Sequence, residues 1–323
     1  MKVFVGQNLG AFLSGDQGVL TRGTSPLLGP ALDLRGTASG TSLLTMAAPV
    51  TSLPPSGDHA YLQSKLLRHI FGLEVWTPPG IFYVGIVTSP PTDADDGITT
   101  AEPADPSYHR IAVSGAGWTI DSLGRWVNNA SITFPTASVS WGTLPYLVLY
   151  DSPIGGNVLK YARQSAPSTV AAGATLSLPS GSPRFSYASS APVSTAFRRV
   201  LGEFVSHRAA IAGRACLSVS LIGDAPAVAG DAADMDEHAG DAFARTVVGP
   251  GSAWESSGDA VTNARDFIFS TPSASWGTFD RWAIAMTPFG GDVVAWGDLP
   301  TSVAAGTGST PTIESGAIMV RLR

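Results

Sequence analysis

The stretch Ile132-Thr-Phe-Pro-Thr-Ala-Ser-Val-Ser-Trp141-Gly-Thr-Leu-Pro-Tyr146-Leu-Val-Leu-Tyr150 returns as Phe267-Ile-Phe-Ser-Thr-Pro-Ser-Ala-Ser-Trp276-Gly-Thr-Phe-Asp-Arg-Trp-Ala-Ile-Ala. Trp141 and Trp276 lie 135 residues apart, and the glycine pairs Gly155-Gly156 and Gly290-Gly291 keep the same offset. Carried backwards, that offset pairs Asn128 with Asn263, Arg110 with Arg245, Tyr108 with Phe243, Val84 with Val219 and Leu66 with Leu201. A period of this length matches a small domain and far exceeds a solenoid unit. The chain therefore reads as an arm over 1–58, a first repeat over 59–190 and a second over 191–323.

Each repeat opens with a helical pattern. In the first, Leu62, Leu66 and Ile70 recur on one face, Asp58 is the expected N-cap and Gly72 the stop. In the second, Ser194 stands ahead of Phe197, Leu201 and Val205. Ile81-Phe-Tyr-Val-Gly-Ile-Val-Thr88 follows the first helix, a β-branched and aromatic run that suits a strand buried on both faces. Short strands are then expected at 108–113, 118–120, 125–128, 132–134, 146–150, 158–162 and 175–178. In the second repeat 215–222 answers 80–87, and further strands are expected at 243–248, 266–269, 282–286, 293–296 and 317–322. Turn signals every ~8–12 residues mark a sandwich or barrel. The expected fold is mainly β, with two tandem jelly-roll-like β-sandwich domains, each preceded by a short helix, and an extended N-terminal arm. The arm sustains neither a helical nor a strand period, and offers at most isolated strands at 2–5 and 43–46.

Charged residues make up 14% of the chain and hydrophobic ones 44%, where soluble proteins average about 25% charged. So few charges suit a surface that meets other protein. A net charge of −6 with no cationic stripe excludes a nucleic-acid partner, and Arg198, Arg199, Arg208 and Arg214 read as a solvated helix face. The single cysteine, Cys216, matches Ile81 and reads as an apolar strand residue, with neither a disulfide nor a cysteine zinc site available. The uncharged stretch 126–150 carries Pro135, Pro145, Asn128 and Asn129, which rules out membrane insertion.

The acidic loop with Asp224, Asp231, Asp234, Asp236, Glu237 and Asp241 holds enough carboxylates for calcium but lacks an EF-hand register. The first-repeat loop with Asp93, Asp95 and Asp96 shows no residue-for-residue match to it, so both read as solvated loops. His59, His69, His109, His207 and His238 keep no metal-binding spacing, and no Gly-x-Ser-x-Gly elbow is present. A glycosidase carboxylate pair needs no fixed spacing, yet the repeated positions are apolar, aromatic or glycine. No catalytic residue, metal ligand or cofactor is expected. Trp141, Gly142, Gly155 and Gly156, with Trp276, Gly277, Gly290 and Gly291, are the residues that define the repeat as packing and turn geometry. The second copy's turn, 286–292, reads one residue shorter than 150–157. The unduplicated Trp76, Trp126, Trp282 and Trp296 are the candidates for stacking on a glycan or a partner.

The order helix-Leu-Leu-x-x-x-Phe-Gly, Phe82-Tyr-Val-Gly-Ile-Val-Thr-Ser-Pro, Tyr108-x-Arg110, Asn128-Asn-Ala-x-Ile-Thr-Phe-Pro135, Trp141-Gly-Thr and Asp151-x-x-x-Gly-Gly-Asn157 resembles a module of tailed bacteriophages. Its proteins are labelled tail fibre or virion structural proteins. The resemblance covers 60–187 and, more diverged, 194–323, and leaves the arm outside. It implies a non-enzymatic component of the particle exterior whose partners are other virion proteins, mounted as a fibre or spike base or as a capsid decoration such as a head spike. Closed symmetry in such assemblies points to a homo-oligomer. Host attachment through a surface glycan is the alternative function, and hydrolysis of such glycans a third.

Overall fold

The computed structural model describes residues 12–14, 19–21, 56–186, 193–206, 209–211, 217–226, 235–238 and 243–322. Two units are separable, residues 1–51 and residues 52–323. In the first, β1 (Phe12–Ser14) pairs antiparallel with β2 (Val19–Thr21). The strands expected at 2–5 and 43–46, together with Cys216, His207, Arg208, Arg214, Asp231, Asp234 and Asp241, lie outside the described residues.

In the second unit the first repeat runs β3 (Ser56–Asp58), α1 (Ala60–Ile70), β4 (Ile81–Val87), β5 (Ile111–Ser114), β6 (Trp118–Ile120) and β7 (Trp126–Asn128). It continues through β8 (Ile132–Thr136), β9 (Gly142–Tyr150), β10 (Val158–Val170), β11 (Thr175–Leu178) and β12 (Arg184–Phe185). The second repeat begins with α2 (Thr195–Val205), β13 (Leu217–Ile222), β14 (Thr246–Val248), β15 (Trp254–Ser257) and β16 (Ala260–Asn263). It ends with β17 (Phe267–Ile268), β18 (Gly277–Ala285), β19 (Val293–Ala305), β20 (Thr312–Ile313) and β21 (Met319–Val320). The protein is mainly β, in antiparallel sheets, and the module occurs twice.

The main sheet of the first repeat has the order β3-β10-β9-β4-β5, with smaller sheets β11-β8 and β12-β7-β6. The second repeat reproduces it as β19-β18-β13-β14, β20-β17 and β21-β16-β15. Both helices, both long hairpin strands and the last strand recur at the offset of 135. The turn between β9 and β10 recurs without a gap, Met286 answering Asp151, and this corrects the expected one-residue shortening.

Helix α1 buries Leu62, Leu66, Leu67 and Ile70 and ends at Gly72, whose φ of 72° a side chain would disfavour. Its N-cap is His59, which accepts from the Tyr61 N–H at 3.3 Å. Asp58, the expected cap, instead lies in the sheet, where β3 pairs with β10 and the carboxylate meets the buried Lys160 ammonium. The last three residues assigned to the arm thus form an edge strand. Ser194 caps α2 as expected, accepting from the Phe197 N–H at 3.0 Å.

The strands expected at 146–150 and 158–162 are parts of strands of 9 and 13 residues. Pro145 and Pro167 obscure this in the sequence, because proline cannot donate to a ladder. The structure accommodates them at a register shift, where β10 bulges between Arg163 and Ser168 and pairing on β9 jumps from Tyr146 to Leu144. The shift recurs between Phe279 and Arg281 on β18.

One continuous hydrophobic cluster runs from Leu62 to Leu322 and joins the repeats. Helix α1 packs on its own β10 and across on β16, while α2 packs on its own β19 and across on β6. The crossing is reciprocal. The Gly251 N–H donates to the Phe71 carbonyl at 2.8 Å. At the offset-related place, Gly115 lies so near Ser206 that an added Cβ would meet its carbonyl oxygen at 2.5 Å. His69 and Phe204, themselves equivalent positions, stack on each other at 4.5 Å, as residues astride a local two-fold axis would.

Candidate functional site

Two of the polar groups that recur in both repeats, Arg110 with Arg245 and Asn128 with Asn263, grip backbone. Arg110, at the start of β5, is buried and holds Glu102 through Nε at 3.0 Å and Nη2 at 2.7 Å. Its Nη1 donates to the carbonyls of Ser152 and Gly155 at 2.9 and 2.8 Å, pinning the β9–β10 turn from both sides. Arg245 repeats the device, with Glu237 at 2.7 and 2.9 Å and the carbonyls of Thr287 and Gly290 at 3.2 and 3.0 Å. A guanidinium fork suits this task because its donors diverge in a plane. Glu102 and Glu237 also stand at the repeat offset, as Asp96 and Asp231 do in the sequence, so the acidic loops do share residues. The signal lay in the spacing, and the expectation of no counterpart is corrected.

Gly155, Gly156, Gly290 and Gly291 give the pinned turns their left-handed backbone, with φ between 60° and 83°. Their tips carry Ile154 and Phe289, each 87% exposed. Asn128 and Asn263 form a second duplicated clamp. Asn128 Nδ2 donates to the carbonyls of Ala130 and Pro179, and Asn263 Nδ2 to those of Arg265 and Glu314.

Trp141 and Trp276 lie buried beside Gly142 and Gly277, whose φ values are 72° and 95°. The Trp141 indole donates to Asp105 at 2.7 Å, and that carboxylate also accepts from the N–H groups of Ser107, Ser138 and Val139 and from the Ser138 hydroxyl. Burial by itself would raise the Asp105 pKa. These donors outweigh it and hold the carboxyl well below its ordinary range. Burial, aided by the Glu102 charge, pushes the Tyr108 phenol well above its usual value, so it remains a donor to Glu102 at 2.7 Å.

The tryptophans expected at the surface do not form a platform. Trp126 is fully buried, edge-on to Phe82 at 5.3 Å. Trp282 is buried with Gly297 close against its ring. Trp76 lies at the junction of the repeats, edge-on to Phe204 at 6.2 Å. Only Trp296 is partly open, packed over Ile222, Met235, Ala283, Ala285 and Val293. An indole covers a large apolar area, and these four cover four separate places. Burial of Trp76, Trp126 and Trp282 leaves these four no shared exposed face. Among the described residues no group of His, Cys, Asp or Glu is arranged to hold a metal ion, and no helix is long and apolar enough to cross a membrane.

No curated protein matches the chain. The family model for the podophage GP4 fiber I protein gp80 matches it twice, over residues 58–186 and 193–321. Those two spans coincide with the repeats that the sheets, the clamps and the offset of 135 define, and the chain belongs to this family of phage fibre proteins, carrying its module in duplicate.

Proposed function

We propose that the protein is a non-enzymatic subunit on the exterior of a tailed-phage particle, built into a fibre or spike base and anchored through its N-terminal arm. Family membership makes it a virion structural protein. The observation that carries the finer reading is where the duplicated polar residues point. Arg110 and Arg245, like Asn128 and Asn263, hold the chain's own carbonyls. What duplication has kept is a rigid shape, which is what an assembly subunit supplies. The arm and the low charge fit a protein that meets other virion subunits and further copies of itself.

Immunogold labelling of particles with antibody against residues 59–323 tests the mounting. Gold at the tail end is expected, and gold spread over the head would replace the fibre reading with capsid decoration. Removing residues 1–55, which spares β3, should leave a folded protein that fails to join the particle. Normal incorporation would overturn the anchoring role. Native mass spectrometry of the full chain should give a homo-oligomer, and a monomer at particle-like concentration would exclude it. Burial of Trp76, Trp126 and Trp282, which leaves Trp296 alone partly open, weighs against the alternative of host-glycan binding through these four.

A further inference from the structure

The register shift in the long hairpin lifts residues 164–167 away from β9 and opens a cleft between β10 and β11 in each repeat. The first cleft measures about 610 Å³ and the second about 330 Å³. Since the fold makes both, what matters is how their linings differ. Arg163 and Arg184 line the first, are exposed, and make no ion pair among the described residues. In this charge-poor protein other cations, among them Lys65, Arg110, Arg125, Lys160 and Arg281, are held by carboxylates. At the matching positions of the second repeat stand Asp298 and Met319, and the guanidiniums are gone.

The wall of the first cleft is also braced. Gln164 Nε2 donates to the Leu144 carbonyl at 2.7 Å, and the Ser168 hydroxyl donates to Gln164 Oε1 at 3.0 Å. The second repeat has Leu299 and Val303 in their place, so the brace is absent there. Hydroxyls of Ser165, Ser168, Ser177 and Ser182 stand around an aliphatic floor that includes Leu176 and Leu178. We infer that the cleft of the first repeat binds a carboxylate-bearing saccharide. The guanidiniums take the carboxylate, the serines and Gln164 meet sugar hydroxyls, and the leucines receive a C–H face. The site lies apart from the tryptophans and does not depend on where the protein is mounted, so its failure would leave the structural role untouched.

Titration calorimetry of the full chain with trigalacturonic acid tests it, beside neutral maltotriose, sulfate and a tri-aspartate peptide. Trigalacturonic acid should bind, with maltotriose and sulfate at least about tenfold weaker. Arg163→Gln with Arg184→Gln, both at exposed positions that the fold tolerates, should weaken trigalacturonic acid by about tenfold or more. Unchanged affinity in that variant, or no binding to the parent, would overturn the site. Equal binding of sulfate would reduce it to a general anion patch, and equal binding of the peptide would reassign it to acidic protein; either result refutes the saccharide.

Discussion

In the first repeat Asp58 and Lys160 meet as an ion pair in the interior, their side chains 1% and 0% exposed. At the matching positions of the second repeat stand Val193 and Ala295, equally buried. Burial pushes the Asp58 carboxyl up and the Lys160 ammonium down, each toward its neutral form, against their mutual attraction. The same sheet thus accepts two fillings, one ionic and one apolar. The comparison teaches that the pair is replaceable as a pair and costly to break singly. Lys160→Met should destabilise the protein by about 3–5 kcal/mol, because it leaves a buried carboxylate uncompensated. Adding Asp58→Val, as the second repeat has it, should recover most of that loss in urea unfolding. A double variant no more stable than Lys160→Met would break the equivalence.

The junction sharpens the comparison at a second place. Gly115 in the first repeat faces Ser206 of the second, while its counterpart Pro250 lies over Gly72. A Cβ at Gly115 would meet backbone, which cannot swing aside. Gly115→Ala should cost about 1–3 kcal/mol as overpacking. It should also weaken coupling between the repeats, so that scanning calorimetry resolves two transitions where the parent shows one. Loss of stability with a single transition would mean that the helices crossing between repeats, rather than this contact, couple them.

A third difference is compensated within each repeat. Tyr108 donates its hydroxyl to Glu102 and accepts from the Ile86 N–H at 3.1 Å, and Gly85 leaves room for it. The second repeat has Phe243 without the hydroxyl, and Ser220, at the place of Gly85, bonds Glu237 instead. Arg110 also stacks on Tyr150 at 3.4 Å, where the second repeat has only Ala285. Tyr108→Phe alone should cost about 1–2 kcal/mol, by leaving buried partners short, and Gly85→Ser alone about 1–3 kcal/mol, by collision. The triple variant Gly85→Ser, Tyr108→Phe and Tyr150→Ala should cost less than its parts add up to. Strict additivity would show that the two solutions are unrelated.

The fixed spacing of Trp141 and Trp276 made the duplication legible from sequence, and with it the mainly β fold, since apolar runs and glycine turns recur in step. The helices were legible too, through Leu62, Leu66 and Ile70 and their equivalents. What escaped were features that depend on distant partners. Asp58 looked like a cap because caps are local, whereas Lys160, its actual partner, is 102 residues away. The full length of β10 was hidden because Pro167 argues against a strand unless a bulge removes the need for its N–H. The tryptophans misled because lack of a counterpart says nothing about exposure. Trp126 and Trp282 have none because the two cores are filled differently. The cleft depends on a register shift, which no local pattern announces.

The smallest expected effect concerns the indole beside each Gly-Thr strand start. Trp141 rests on Asp105, and Trp276 stacks with His238 at 6.0 Å. In the first repeat the indole should therefore owe stability to a carboxylate. The folded-state pKa of Asp105 is depressed below the unfolded value of about 3.9. Its contribution is present in full above that unfolded value and is lost as pH falls through the lower folded one. Asp105→Asn removes the titrating group and leaves those of Asp95, Asp96 and Asp121, also depressed, in both proteins. The parent should be the more stable near neutral pH, and the gap between parent and variant should narrow as the urea midpoint is followed from about pH 7 to about pH 3. A gap that stays constant over that range would mean Asp105 acts through the geometry of its hydrogen bonds alone.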